Sequence, residues 1–150
     1  MTRTARRNPA RASRSFREEA FHGWLEHALR RGGGGLLPMG DDVAALKWGG
    51  VTALLTTDAL SEGTHFLARS PPQWVGRATV AASFSDIASK GGTPAAVLID
   101  LLLPPATPAR WARAVVVGAE RYASAHGCHV VGGDTKASSG RSVVGTVVGI

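Results

Sequence analysis

Eight acidic residues lie beyond residue 30, and four of them share a setting that suits chemistry. Asp42 follows Gly40-Asp41 just before a β-prone run, and Asp58 follows Thr56-Thr57 at the predicted end of the next run. Asp86 lies within Ser83-Phe84-Ser85-Asp86-Ile87-Ala88-Ser89, and Asp134 follows Gly132-Gly133 and precedes Thr135. Any one of them has a bland explanation, because aspartates favour turns and caps without a ligand. Asp86 resists it best: a helix interior flanked by Ala, Phe and Ile is a costly place for a lone carboxylate. A cation should stand nearby. Lys90, four residues on, would make an ordinary helix ion pair, and a metal is the other candidate. If the four carboxylates converge, hard oxygens with neighbouring hydroxyls and no Cys or His cluster suit Mg²⁺ shared with substrate phosphates. Glycine beside Asp134 would let the backbone approach a phosphate closely.

The elements that must position these residues can be read from periodicity and breakers. Phe16, Ala20, Phe21, Trp24, Leu25, Ala28 and Leu29 recur at helical spacing over residues 16–30. Gly32 to Gly35 stop that helix, and no Gly-Lys-Ser or Gly-Lys-Thr follows, so the run is not a P-loop. Residues 43–48 and 51–57 flank Gly49-Gly50 as a hairpin. Pro71-Pro72 opens a helix over 73–90, and Pro108 opens another that runs to about His126. Ala95 to Leu103 reads as the central buried strand, with further strands at 128–131 and 142–150. Trp24 and Trp111 fall on apolar helix faces, which core packing explains; Trp74 begins a helix, where core or interface packing is the ordinary reading and capping a nucleotide base the alternative. The order predicts an α/β fold of the α+β type: one mixed sheet with helices packed on one face. The last strand ends the chain with nothing after it, which suggests a piece of something longer.

Composition narrows the function classes. The chain has 150 residues, 44% of them hydrophobic, enough for one buried core. No apolar run reaches the roughly 18 residues that span a bilayer. The single cysteine, Cys128, excludes an intramolecular disulfide and a zinc site of several thiolates, and the expected location is cytoplasmic. The net charge of +6 comes from six arginines within residues 1–17; beyond them 11 basic residues balance 11 acidic ones. Residues 1–15 are therefore read as a solvated, disordered tail rather than a specific nucleic-acid arm, and residues 16–150 as the folded domain.

Taken together, Gly-Asp-Asp at 40–42, Thr-Thr-Asp at 56–58, Ser-Glu-Gly-Thr-His-Phe at 61–66, Ser-Asp-Ile-Ala at 85–88, Gly-Gly-Thr-Pro at 91–94 and Gly-Gly-Asp-Thr at 132–135 occur in an order that resembles a known family. It is the amino-terminal domain of thiamine-monophosphate kinase, within the AIR synthase (PurM-like) superfamily. The resemblance implies transfer of the γ-phosphoryl group of ATP to thiamine monophosphate, giving thiamine diphosphate and ADP, with catalysis by positioning and Mg²⁺. It implies that Asp42, Thr56, Thr57, Asp58, Asp86 and Asp134 hold magnesium. Gly133 and Asp134 would contact nucleotide, and His65 would touch the thiamine phosphate. It also implies a homodimer whose strands close a barrel, and a second, carboxy-terminal domain that this chain lacks. Met39, Lys90 and Lys136 depart from the family's usual residues, and Lys136 is similar to the hydrogenase-maturation branch. A paralogue acting on another acceptor and a non-catalytic, dimerising nucleotide-binding module are the alternatives. Selenophosphate synthetase is set aside because it needs a reactive residue near the amino terminus, and Cys128 lies far downstream.

Overall fold

The hairpin signal at Gly49-Gly50 is realised in the computed structural model, which describes residues 16–29 and 35–150. The arginine-rich segment 1–15 and the first three glycines of the 32–35 run lie outside the described residues. Strands β1 (Ala44–Trp48) and β2 (Val51–Ser61) pair antiparallel from Trp48↔Val51 to Ala44↔Leu55. Gly49 takes φ 60°, the left-handed conformation a two-residue hairpin loop requires. The strand β2 runs four residues past its predicted end, so Asp58 sits inside it. The cause is non-local: β6 (Ser142–Gly149) pairs with β2 from Leu54 to Ser61.

Helix α1 (Glu18–Leu29) precedes the hairpin, and α2 (Pro72–Ser89) follows it from the Pro71-Pro72 start. Then come β3 (Pro94–Leu103), α3 (Ala109–Ser124), β4 (Val130–Gly132) and β5 (Thr135–Ala137), the last without a sequence signal. The sheet order is β1-β2-β6-β3-β4, with β5 also on β3. β3 runs parallel to β4 and β5 and antiparallel to β6, so the sheet is mixed as expected. β6, not β3, holds the middle place. β3 is buried on one face only: Val97, Ile99 and Leu101 are buried while Leu98 is 39% exposed. Its apolar run, broken only by Asp100, concealed that alternation, because a near-continuous run reads as two-sided burial.

Helices α2 and α3 cover the inner face. Val75, Val80 and Ile87 of α2 meet Val115 and Ala119 of α3 over Val97, Val143 and Val147 of the sheet. Trp111 is buried and stacks on Phe66 at 6.2 Å between ring centroids, as its helix face predicted. Trp24 is a correction. It is 58% exposed, and α1 buries none of its residues, its aromatic rings stacking on one another instead. Trp74 is 47% exposed. Cys128 is buried, but it precedes β4 rather than lying in the strand read at 128–131, and burial pushes its thiol pKa up.

Two glycines let the helices touch. A Cβ at Gly76 would lie 1.9 Å from the Val115 carbonyl oxygen, and one at Gly118 would lie 2.1 Å from that of Gln73. Gly76→Ala should therefore cost at least the roughly 1–3 kcal/mol of an overpacked core. Gly23→Ala on α1, where a Cβ meets nothing within 4 Å, should instead gain up to about 1 kcal/mol of helix propensity. Urea unfolding midpoints of both variants against the parent chain check the pair.

Candidate functional site

β1 begins at Ala44, opposite Leu55, while β2 continues beyond Leu55 to Ser61. The edge of β2 from Thr56 onward therefore has no strand beside it on the β1 side among the described residues. The Gly40–Asp42 turn enters β1 at that point, with Gly40 at φ 96°. A cavity of about 430 Å³ opens there, lined by Asp41, Asp42, Thr56, Thr57, Asp58 and Asp86 among others.

Strand and helix exchange hydroxyls across this cavity. Thr56 Oγ1 on β2 donates to Asp86 Oδ2 on α2 at 3.0 Å, and Ser83 Oγ on α2 donates to Asp58 Oδ2 on β2 at 2.9 Å. Ser83 and Thr56 are both buried. Burial pushes the Asp86 carboxyl above its usual range; the Thr56 hydroxyl opposes this, and the neighbouring Asp58 adds to it. The pair is short of positive charge. Lys90, one of the two candidate cations for Asp86, does not pair with it. It is the C-cap of α2, where the chain leaves the helix, and its ammonium reaches Asp41 Oδ2 at 2.8 Å. Asp41 Oδ1 also accepts the Val43 amide at 3.1 Å. The Lys90 hydrogen bond, then that amide, hold the Asp41 carboxyl below its usual range. Thr57 also lines the cavity and shares a 3.0 Å hydrogen bond with Thr146, which lines it too.

Asp134 and Gly133 line a different cavity, of about 350 Å³, with Gly132 and Thr135. Gly133, at φ 149°, lies so close to β3 that a Cβ would stand 1.8 Å from the Ile99 carbonyl oxygen. The turn is bonded to β3 on both sides: the Asp134 amide donates to Asp100 Oδ1 at 2.6 Å, and its carbonyl accepts the Leu101 amide at 2.9 Å. The Asp134 carboxylate accepts the Thr135 amide at 2.7 Å and pairs with Lys136 at 3.3 Å. Those two contacts, the Thr135 amide first, hold its carboxyl below the usual range. His65 lines neither cavity; its Nδ1 accepts the Ser61 amide at 3.1 Å.

Asp42, Thr56, Thr57, Asp58 and Asp86 thus come together, and Asp134 and His65 stand apart. Among the described residues no three His, Cys, Asp or Glu side chains form a ready cage for a metal ion. The donor set is open, made of oxygens and over-rich in negative charge. That fits Mg²⁺, which keeps several waters and takes one or two carboxylates plus phosphate oxygens, and does not fit a closed four-ligand site. Sequence reasoning passed over four contributors. Asp41 adjoins Asp42, Ser83 stands in the run around Asp86, and Asp100 interrupts an apolar strand; each left a trace. Thr146 left none.

A family model for AIR synthase related protein, N-terminal domain, matches residues 40–150. The thiamine-monophosphate kinase of Aquifex aeolicus is 36% identical over 100 residues, which are 67% of this chain and 33% of that protein. That of Synechococcus elongatus is 33% identical over 127 residues, 77% of this chain and 39% of that protein. The structure of AaThiL complexed with AMPPCP and TMP superposes with a TM-score of 0.81 at 30% identity, covering 91% of this chain and 44% of that one. E. coli HypE, a hydrogenase maturation protein, shares the fold at a TM-score of 0.55 and 22% identity. The chain spans between a third and two fifths of the length of these two kinases.

Asp86→Asn keeps an acceptor for Thr56 and removes the charge. A carboxyl whose pKa is raised by folding binds more protons folded than unfolded, so stability falls as pH rises from the usual carboxylate range through the folded pKa. Without divalent cations the variant should melt above the parent at pH 7, and the gap should close as the pH falls below the usual carboxylate range. Thermal unfolding with chelator across that range tests this; equal midpoints at neutral pH would show that the charge is not strained.

Proposed function

The chain belongs to the AIR synthase related protein family through its N-terminal domain, and from that membership we propose that it is the nucleotide- and magnesium-binding part of a thiamine-monophosphate kinase. The reaction moves the γ-phosphoryl group of ATP onto a phosphate oxygen of thiamine monophosphate, giving thiamine diphosphate and ADP. The observation that carries the reading is the incompletely compensated Asp58–Asp86 pair in an open, oxygen-lined cavity. Similarity to a protein complexed with AMPPCP and TMP supplies the ligand class.

Asp42, Asp58 and Asp86, with the hydroxyls of Thr56 and Thr57, are the residues that would hold Mg²⁺. When bound, the ion supplies charge neutralisation for the transferring phosphoryl group. Ser83 orients Asp58 through its hydroxyl. Gly133 offers a backbone without a side chain to the nucleotide, and Asp134 stands at the same turn. The acceptor phosphate is already an anion, so no strong general base is required of the protein. His65 lies in the loop after β2; at about 3.3 Å of rise per residue, Ser61 is roughly 10 Å beyond Asp58 along the strand. That separation suits an acceptor lying end to end with the donor.

We also propose a homodimer. The uncovered sheet face carries Leu98, which a second copy would cover. A free, buried Cys128 suits the reducing cytoplasm. No helix among the described residues is long and apolar enough to cross a membrane.

The test is thiamine diphosphate formation from thiamine monophosphate, ATP and Mg²⁺, run on this chain and on any longer product of its reading frame. Asp58→Asn should abolish it. ATP binding without thiamine diphosphate formation in the longer form would move the acceptor to another compound. Ser83→Ala should weaken Mg²⁺-dependent nucleotide binding by about 10–100-fold, the usual loss when a ligand's supporting partner goes. Calorimetric titration measures it.

A further inference from the structure

The loop from Ser61 to Phe66 is held by contacts that do not involve the aspartate cavity. Within it, the His65 amide donates to the Ser61 carbonyl at 2.8 Å, and the Gly63 amide to the Phe66 carbonyl at 2.8 Å. Phe66 is buried and stacks on Trp111. Arg141, one residue before β6, grips the loop twice. Its Nε meets Glu62 Oε2 at 2.9 Å, and its carbonyl accepts the Glu62 amide at 2.9 Å. The guanidinium also lies 5.1 Å over the Trp111 ring. One indole therefore supports both the loop's apolar anchor and its charged clamp.

This fixes the imidazole of His65. Its Nδ1 accepts the Ser61 N–H, so the neutral ring must carry its proton on Nε2. The atom turned away from the loop is then a donor, not a base. We propose that Arg141 is a positioning residue: its clamp on Glu62 over Trp111 holds the 61–66 loop so that His65 presents Nε2–H to the anionic phosphate of the acceptor. The role of the acceptor rests on the function proposed above; the tautomer and the clamp do not.

Arg141→Met removes the charge and keeps an apolar stem over Trp111. In ¹⁵N-histidine-labelled protein above the ring's titration, His65 should show the Nε2–H signature in the parent and a mixture of tautomers in the variant. In a form that makes thiamine diphosphate, the acceptor KM should rise roughly tenfold, the loss of one well-aligned hydrogen bond to a charged group. Mg²⁺–nucleotide affinity should stay unchanged, and Arg141→Lys should restore part of the KM. Should Arg141→Met fail to fold, Glu62→Gln removes the same charge pair with the stacking left in place, and its tautomer shift decides. An unchanged Nε2–H signature would overturn the proposal, as would nucleotide affinity falling in step with acceptor binding. Absence of thiamine diphosphate formation by the parent would sink the functional reading, while the tautomer signature still decides the clamp.

Discussion

Asp58 and Asp86 repel each other across the seam between β2 and α2, and the fold must hold them there before any cation arrives. It does so by close approach. A Cβ at Gly145 on β6 would stand 2.9 Å from Thr79 Cγ2, and one at Gly149 would stand 2.7 Å from Ile87 Cγ2. These absent side chains let α2 lie low on the sheet, and that low seat brings Asp86 within reach of Thr56 and Ser83 within reach of Asp58. The two hydroxyls hold the carboxylates in place without neutralising them. The surplus of negative charge would favour a cation here over a structural ion pair, as the proposed function requires.

The parts of this arrangement that could be read from sequence are those with local causes. Prolines at 71–72 and 108 mark two helix starts, and Gly49-Gly50 marks the hairpin. A carboxylate amid Ala, Phe and Ile marks Asp86 as unusual. What escaped has partners far along the chain. β2 extends past Thr57 because β6, more than eighty residues on, pairs with it, so Asp58 belongs to a strand rather than a strand end. Lys90 looked bound to its own helix, yet its partner is Asp41, 49 residues away. The amphipathic pattern of α1 was correctly helical but says nothing of what lies against it, and Trp24 is exposed.

Charge is distributed unevenly over the two cavities, and the sheet register explains how they relate. Asp58 pairs with Gly145 and Gly145 with Ile99, so one row of the ladder crosses β2, β6 and β3. Gly133 rests against the backbone of Ile99 at the far end of that row. Two inter-strand spacings put Ile99 roughly 10 Å from Asp58. That spacing places Asp134 in a second cavity, across β6 and β3 from Asp58.

The two ends also differ in what they lack. Asp134 already has the Thr135 amide and Lys136, and its turn is fastened to β3 by Asp100 and Leu101. Asp86 has one hydroxyl and a neighbouring carboxylate. Under the proposed function a cation would therefore gain more at the Asp58–Asp86 end, where it would relieve repulsion, than at Asp134. A ligand that spans the row, carrying several anionic groups along its length, would draw on both ends at once: metal-bridged at one and against exposed backbone at Gly133 at the other. A polyphosphate chain has that form, which is why the separation of Asp134 from the other three aspartates is consistent with a nucleotide site rather than an objection to one.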